Sequence, residues 1–130
     1  MFMTSYVLDS WAWVEYLRGS EAGQLVKKEL ELGSEIHTNV ISIAELISKF
    51  RREGLDTEAA WQAVTSTSKT MPVKETDAKE AGIIHATAKK ASPNFSLADA
   101  FVLQTARKLG CRILTGDPDF KRMKEARMLT

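Results

Sequence analysis

The sequence predicts an α/β fold, a three-layer α/β/α sandwich around a central, mainly parallel sheet. Short runs of apolar and β-branched residues alternate along the chain with longer segments of helical spacing. Parallel strands need crossover connections of that kind, and these cover both faces of the sheet. The chain has 130 residues, 44% of them hydrophobic, so we expect a single domain over residues 1–130.

The first elements follow from spacing and from glycines. Residues 5–8 form a short apolar strand, and Trp11, Val14 and Leu17 then follow at helical spacing until Gly19 ends the helix. A stripe of Ile43, Ile47 and Phe50 predicts a helix over 40–53. The other elements expected in this half are a helix at 21–32, a strand at 35–38 and a helix at 57–67.

The second half continues the alternation. A short strand is expected at 71–73 and an Ala-rich helix at 76–90, followed by a turn at 92–94. A helix over 96–109 stops at Gly110, and a β-branched strand occupies 111–115. The remaining predictions are a helical turn at 117–123 and an edge strand at 126–129.

Charge and cysteine content limit the class of protein. The formal net charge is only +1, but the segment after Arg107 is locally basic, and Lys121, Arg122 and Lys124 are candidate RNA phosphate contacts. Cys111 is the only cysteine, which excludes an intrachain disulfide and a Cys-rich zinc site and favours the cytoplasm. No apolar run approaches the ~20 residues of a membrane span, and no export signal is expected.

Four acids stand out by position: Asp9, Glu45, Asp99 and Asp117. Each has a structural alternative. Asp9, Asp99 and Asp117 could cap helices, and Glu45 could pair with Lys49 one turn later. Capping does not explain why two acids follow strands and the other two lie on helices able to flank that same sheet edge. Hard divalent cations take several oxygen ligands from different segments, so convergence predicts a site for such a cation.

These motifs together resemble the PIN-domain nucleases. The matching segments are residues 6–10 (YVLDS), 42–46 (SIAEL), 96–100 (SLADA) and 114–120 (LTGDPDF), in the family's order and spanning essentially the whole chain. The resemblance implies that the four acids are catalytic residues and ligands of one or two Mg²⁺ or Mn²⁺ ions. It also implies that Ser10 and Thr115 hold a carboxylate or a metal-bound water in place, and that Asp119 supports the metal ligands without being one of them.

By the same resemblance, the chain is expected to be a metal-dependent endoribonuclease acting on single-stranded RNA, similar to the VapC toxins of toxin–antitoxin pairs. Its partners would then be RNA and a cognate antitoxin. Trp11 and Trp13 are bulkier than the family pattern. The segment of Trp11, Trp13 and Tyr16 is too apolar to be wholly exposed on a monomer, so we expect a homodimer, with this segment as the dimer or antitoxin interface. Together with Trp61, these aromatic residues are expected to serve core or interface packing rather than base stacking. His37 and His85 lie outside the motifs and are not expected to be general bases.

Three other classes fit less well. A noncatalytic RNA-binding or scaffold domain of the same fold would be expected to have lost one or more of the four acids, and all are present. A haloacid-dehalogenase-type phosphatase needs a second Asp two residues after the first, where this chain has Trp11. A dinucleotide enzyme needs a glycine-rich turn after the first strand, which is absent from the sequence.

Overall fold

A computed structural model of the chain describes residues 4–129, and the following elements lie within that range. In chain order they are β1 (Ser5–Leu8), α1 (Ser10–Arg18), α2 (Glu21–Glu31), β2 (Glu35–Asn39), α3 (Val40–Arg52), α4 (Thr57–Thr67), β3 (Lys69–Met71), α5 (Glu75–Ala88), α6 (Leu97–Leu109), β4 (Arg112–Thr115), a 3₁₀ turn (Pro118–Phe120) and β5 (Ala126–Met128).

The five strands form one sheet in the order β3-β2-β1-β4-β5, and every adjacent pair is parallel. The chain builds outward from β1 to β3 on one side and then crosses to β4 and β5 on the other. The connections diverge between β1 and β4, and in open parallel sheets this is where a crevice forms at the carboxyl ends of the strands. The predicted α/β class is confirmed.

Alternate side chains of the strands enter two separate cores. Tyr6 and Leu8 of β1 pack with α1, α2, α3 and α4 on one face of the sheet, whereas Val7 packs with α5 and α6 on the other. Ile113 and Leu114 divide in the same way on β4. A two-residue period in the strands therefore produces the three layers.

The predicted strand at 71–73 is wrong in position. The strand is Lys69–Met71, where Lys69, Thr70 and Met71 pair with β2. Pro72 has no N–H and cannot donate to the ladder, so pairing ends before it. The other predicted elements exist, with ends displaced by up to three residues; the Ala-rich helix, for example, runs from Glu75 to Ala88, and the helical turn ends at Phe120.

Within residues 4–129, no helix is both long enough and apolar enough to cross a lipid bilayer.

Candidate functional site

The pairing of β1 with β4 positions the first acid. Leu8 lies opposite Leu114, so Asp9 and Thr115 leave the sheet side by side at its carboxyl edge. The Thr115 hydroxyl donates to Oδ2 of Asp9 at 2.5 Å, and Oδ1 accepts the Ala12 backbone N–H at 2.9 Å. Asp9 is thus the N-cap of α1, as the structural alternative proposed, and it also lies at the predicted crevice.

Asp9 is unusual for a cap because it is only 4% exposed. Burial, which disfavours the charged form, is the largest cause of a rise in the Asp9 pKa to about 7. The negative charges of Asp117 and Asp99 add to the rise, against the two hydrogen bonds that favour ionisation. These other carboxylates are therefore close enough to Asp9 to affect its charge.

Glu45 faces the same region from α3. Its Oε1 accepts the Ser10 hydroxyl at 3.2 Å. Lys49 lies 3.1 Å from Oε1 of Glu53 instead, so the proposed Glu45–Lys49 pair is not the interaction that holds Glu45. Although the Glu45 residue as a whole is exposed, partial desolvation of its carboxylate and the charges of Asp99 and Asp117 raise its pKa.

Asp99 enters from the first turn of α6. A capping box fixes it: its Oδ2 accepts the Ser96 backbone N–H at 2.9 Å, and its own N–H donates to the Ser96 hydroxyl at 3.0 Å. Desolvation, followed by the charges of Asp117 and Asp119, raises its pKa despite these bonds. Asp99 is both a cap and a member of a crowded acidic group.

Asp117 and Asp119 lie on the turn after β4. Thr115 Oγ1 accepts the Asp117 backbone N–H at 3.0 Å, and Asp117 Oδ1 accepts that of Asp119 at 2.9 Å. Carboxylate oxygens of Asp99, Asp117 and Asp119 all lie within 4.8 Å of one another. The pKa of Asp119 is raised, chiefly by desolvation and then by Asp117.

Asp119 lies beside Asp99 and Asp117, and its predicted supporting role stays a prediction. Asp9 and Glu45 are near enough for the charges of Asp99 and Asp117 to raise their pKa values. We call these five residues the acidic cluster. In the sequence, the spacing Asp117-x-Asp119 indicated that Asp119 belongs to this cluster, because a tight turn brings two carboxylates at that spacing to the same side.

The acidic cluster fits a hard divalent cation. Among the described residues, none of its five carboxylates lies within 4 Å of a lysine, arginine or histidine nitrogen. Crowded acids with no cationic partner repel one another, and Mg²⁺ or Mn²⁺ held by carboxylate oxygens would offset that repulsion. The donor set, all oxygen, suits those ions better than zinc or copper.

The three aromatic residues of α1 are divided by the structure. Trp13 is wholly buried, and its indole N–H donates to Thr38 Oγ1 at 3.0 Å. The prediction that Trp13 belongs to an interface is therefore wrong. Helical periodicity turns Trp13 into the core, while Tyr16 packs edge-on against it at 5.7 Å and stays partly exposed with Trp11.

Trp11 lies against the turn that carries Asp117. A Cβ placed on Gly116 would fall 2.2 Å from Cη2 of the Trp11 indole, so only glycine allows this contact. A pocket of about 270 Å³ opens beside it. Its lining consists of Ser10, Trp11, Val14, Glu15, Arg18, Lys49 and Asp117.

Glu15 and Arg18, which line this pocket, were not predicted from the sequence as residues near the site. They follow Trp11 at i+4 and i+7, the spacing that brings residues onto one helix face, so the signal was present. Of the two histidines, His37 is buried beside Glu35, away from the cluster contacts described above, and His85 lies on α5. Lys121, Arg122 and Lys124 are exposed in the segment that follows Asp119.

Solved structures with the same fold share little sequence with this chain. A toxin–antitoxin complex from Klebsiella pneumoniae matches with a TM-score of 0.71 at 15% identity, covering 96% of this chain and 98% of that one. VapC20 of Mycobacterium tuberculosis, a toxin that cleaves the sarcin–ricin loop, matches with 0.72 at 16%, covering 92% and 95%. DNA-bound VapBC from Salmonella typhimurium matches with 0.71 at 18%, covering 97% of each chain.

No curated protein matches the sequence. The family model of the PIN domain matches residues 6–126, nearly the whole chain, and this range includes all four motifs. The fold, the order of the acids and this match agree, and the chain belongs to the PIN domain family.

Proposed function

We propose that this chain is a divalent-metal-dependent endoribonuclease, a single PIN nuclease domain that cleaves single-stranded RNA. The observation that carries the proposal is the meeting of Asp99, Asp117 and Asp119 within 4.8 Å, bordered by Asp9 and Glu45. A cluster of acids from four segments destabilises the fold unless a cation occupies it. Such a cost is expected at a functional site.

The residues divide the work. Asp99, Asp117 and Asp119 would hold Mg²⁺ or Mn²⁺, with Asp9 and Glu45 as further ligands. Thr115 orients both Asp9, by donating to Oδ2, and Asp117, by accepting its backbone N–H. Ser10 orients Glu45 through its hydroxyl. Such hydrogen bonds hold carboxylates ready for the cation and lower the cost of reorganisation.

When bound, the metal would supply a water of lowered pKa and would offset the negative charge that develops on the phosphorane oxygens. The protein must then bring a scissile phosphate to the acidic cluster. Lys121, Arg122 and Lys124 lie directly after Asp119 and are exposed, so they are suited to contact phosphates that flank the cleaved bond. RNA as substrate is further supported by the M. tuberculosis toxin of similar fold, which is described as cleaving the sarcin–ricin loop.

We further propose that the enzyme is the toxin of a toxin–antitoxin pair in the cytoplasm. Similar folds occur in the K. pneumoniae complex and in the S. typhimurium VapBC structure. Trp11 and Tyr16 remain partly exposed on α1, and Leu25 of α2 is 44% exposed. These side chains support a docking surface for an antitoxin segment across the N-terminal helices. Co-purification with the product of an adjacent short reading frame would test this, and absence of any complex would oppose it.

We also propose a homodimer, although Trp13 cannot contribute to its interface because it is buried in the core. Ile83 of α5 is 60% exposed and lies with Ile84, Leu103 and Met123 around an apolar pocket of about 300 Å³. An apolar surface of this kind favours association. Light scattering across micromolar concentrations should give twice the chain mass, and a monomer at every concentration would contradict the dimer.

Cleavage of a labelled, unstructured RNA tests the proposed activity. Purified protein with millimolar Mn²⁺ or Mg²⁺ should cut the RNA, and excess chelator should stop it. An Asp117→Asn variant purified in parallel is the control for contaminating nucleases. Equal cleavage by the variant, or in chelator, would contradict the proposal.

A further inference from the structure

We propose that Trp11 forms the stacking wall of a pocket that binds one nucleobase of the RNA next to the scissile phosphate. The inference rests on the proposed ribonuclease function and adds a specificity-determining residue to it. Sequence reasoning grouped Trp11 with Trp13 as packing residues, whereas the structure separates them. Trp13 lies in the core, and Trp11 lines the pocket that also contains Asp117.

The position of the Trp11 indole is set by Gly116, on the turn that follows β4 and carries Asp117. The edge of its six-membered ring rests on Gly116, where a Cβ would lie 2.2, 2.4 and 2.7 Å from Cη2, Cζ3 and Cζ2. Gly116 is buried and immediately precedes Asp117. Trp11 also packs partly against the core on that face of the sheet. A ring held in this way loses little conformational entropy when a base stacks on it.

The pocket has the size and the composition of a base site. Its volume of about 270 Å³ lies just below the roughly 300–1,000 Å³ of sites for drug-sized ligands, so a single heterocycle suits it. Trp11 and Val14 provide an apolar wall. Bases of single-stranded RNA are recognised by stacking on aromatic side chains together with hydrogen bonds to their edges.

The charges around the pocket also favour a base over a phosphate. Glu15 and Asp117 line it together with the Ser10 hydroxyl. The two cations of the lining already have partners, since Arg18 lies 3.7 Å from Glu15 and Lys49 lies 3.1 Å from Glu53. A bare phosphate would meet two carboxylates there. The edge of a neutral base has both donors and acceptors, so it can form hydrogen bonds with carboxylates and with cations. The RNA backbone attached to that base would then continue toward the acidic cluster at Asp117.

The test compares intact RNA with RNA that lacks one base. The cleavage site is first mapped with wild type in Mn²⁺, and abasic substrates are then made with the gap on either side of the cut. Trp11→Leu should lower kcat/KM on intact RNA by about 5- to 150-fold, the equivalent of about 1–3 kcal/mol, mostly through KM. Trp11→Phe should retain most of the activity. On one of the abasic substrates, wild type and Trp11→Leu should be equal.

Trp61→Leu is the matched control, because Trp61 is a 45% exposed tryptophan of α4 outside the pocket lining. It should leave kcat/KM unchanged on every substrate. If Trp11→Leu fails to fold, as judged by its thermal melt, wild type alone must still prefer intact RNA to one abasic RNA by the same factor.

Four results would overturn the inference. Equal kcat/KM for wild type and Trp11→Leu on intact RNA would do so while leaving the ribonuclease function in place. An equal loss on intact and abasic RNAs would show that Trp11 only supports the fold of the site, and loss of antitoxin binding with unchanged cleavage would assign the pocket to a peptide. Failure of wild type to cleave RNA in Mn²⁺ would overturn the proposed function and this inference with it.

Discussion

Two buried carboxylates of this molecule, Asp9 and Asp77, lie under opposite conditions. In the acidic cluster at the carboxyl ends of β1 and β4, acids face other acids, and the pKa of Asp9 rises to about 7. On α5, Asp77 is only 5% exposed, yet its oxygens accept hydrogen bonds from the Lys74 backbone at 3.0 Å and from Gln104 and Lys108 at 2.9 Å each. The Lys74 N–H and Lys108 are the main causes that lower its pKa to about 2.

We interpret the difference as one between a structural acid, Asp77, and acids that we propose to be metal ligands. Asp77 keeps its negative charge because hydrogen-bond donors surround its carboxylate. Its hydrogen bonds with Gln104 and Lys108 join α5 to α6. The acids of the cluster have hydrogen bonds but no cationic side chain. A positive charge that offsets theirs would have to come from outside the chain. This is why we propose that these acids bind a metal and take part in the reaction.

The largest expected effect is on RNA cleavage. Asp117→Asn should lower the rate in Mn²⁺ at least about 100-fold, the scale on which loss of one electrostatic contact to a transition state is felt. Asp77→Asn, assayed well below its melting temperature, should cleave at close to the wild-type rate. Gel assays of both variants test the comparison, and equal losses would remove the distinction between the two regions.

The next effect is the pH dependence of the metal-free protein. Between pH 3.8 and about 7, folded Asp9 keeps a proton that the unfolded chain has released. The free energy of unfolding should therefore fall as pH rises through this window, at about 1.4 kcal/mol for each pH unit between the two pKa values at most. Glu45, Asp99 and Asp119 act in the same direction.

Asp77 contributes with the opposite sign. Its pKa is lowered to about 2, so its stabilisation is present above pH 3.8 and is lost as pH falls toward 2. Urea titrations in chelator from pH 4 to 8 should give a downward slope for wild type and a flatter one for Asp9→Asn. A stability that rises from pH 5 to 7, or a slope unchanged in Asp9→Asn, would contradict the account of the cluster.

A smaller effect concerns stabilisation by metal. Wild type should gain about 2.7 kcal/mol when Mn²⁺ is 100-fold above its dissociation constant. Asp119→Asn should gain less, because its carboxylate is one of the three within 4.8 Å, and Asp77→Asn should gain as much as wild type. Melts with and without Mn²⁺ measure the gain. A full gain for Asp119→Asn would return that residue to its predicted supporting role.

The sequence was sufficient for the fold and for the edge at which the acids gather. Parallel strands end together, so acids after β1 and β4 had to be neighbours, and helical stripes identified α3 and α6 as their flanks. Local competition was harder to predict. Pro72 ended β3 early because it cannot donate, and Lys49 paired with Glu53 although Glu45 lay at the same spacing on its other side.

Details of side-chain placement were beyond the sequence. Trp11 and Trp13 look equivalent as letters, but two residues along a helix is a rotation of about 200°, so one enters the core and the other reaches the pocket. Asp119 depends on the tight turn at Pro118–Phe120, whose geometry brings its carboxylate to Asp99 across the crevice. Such contacts come from tertiary packing, which a single sequence does not reveal by spacing.

The most direct test is a set of thermal melts of wild type, Asp99→Asn and Asp77→Asn in chelator and in millimolar Mn²⁺. Neutral Asn mimics the protonated acid, which the cluster favours at Asp99 and the Lys108 contact disfavours at Asp77. In chelator, Asp99→Asn should melt above wild type, by about 2–8 °C for each kcal/mol of relieved repulsion, and Asp77→Asn below it. In Mn²⁺, Asp77→Asn should gain the full wild-type increase and Asp99→Asn little. An Asp99→Asn variant that melts below wild type in chelator and still gains the full increase from Mn²⁺ would contradict the claim that these acids form one metal site.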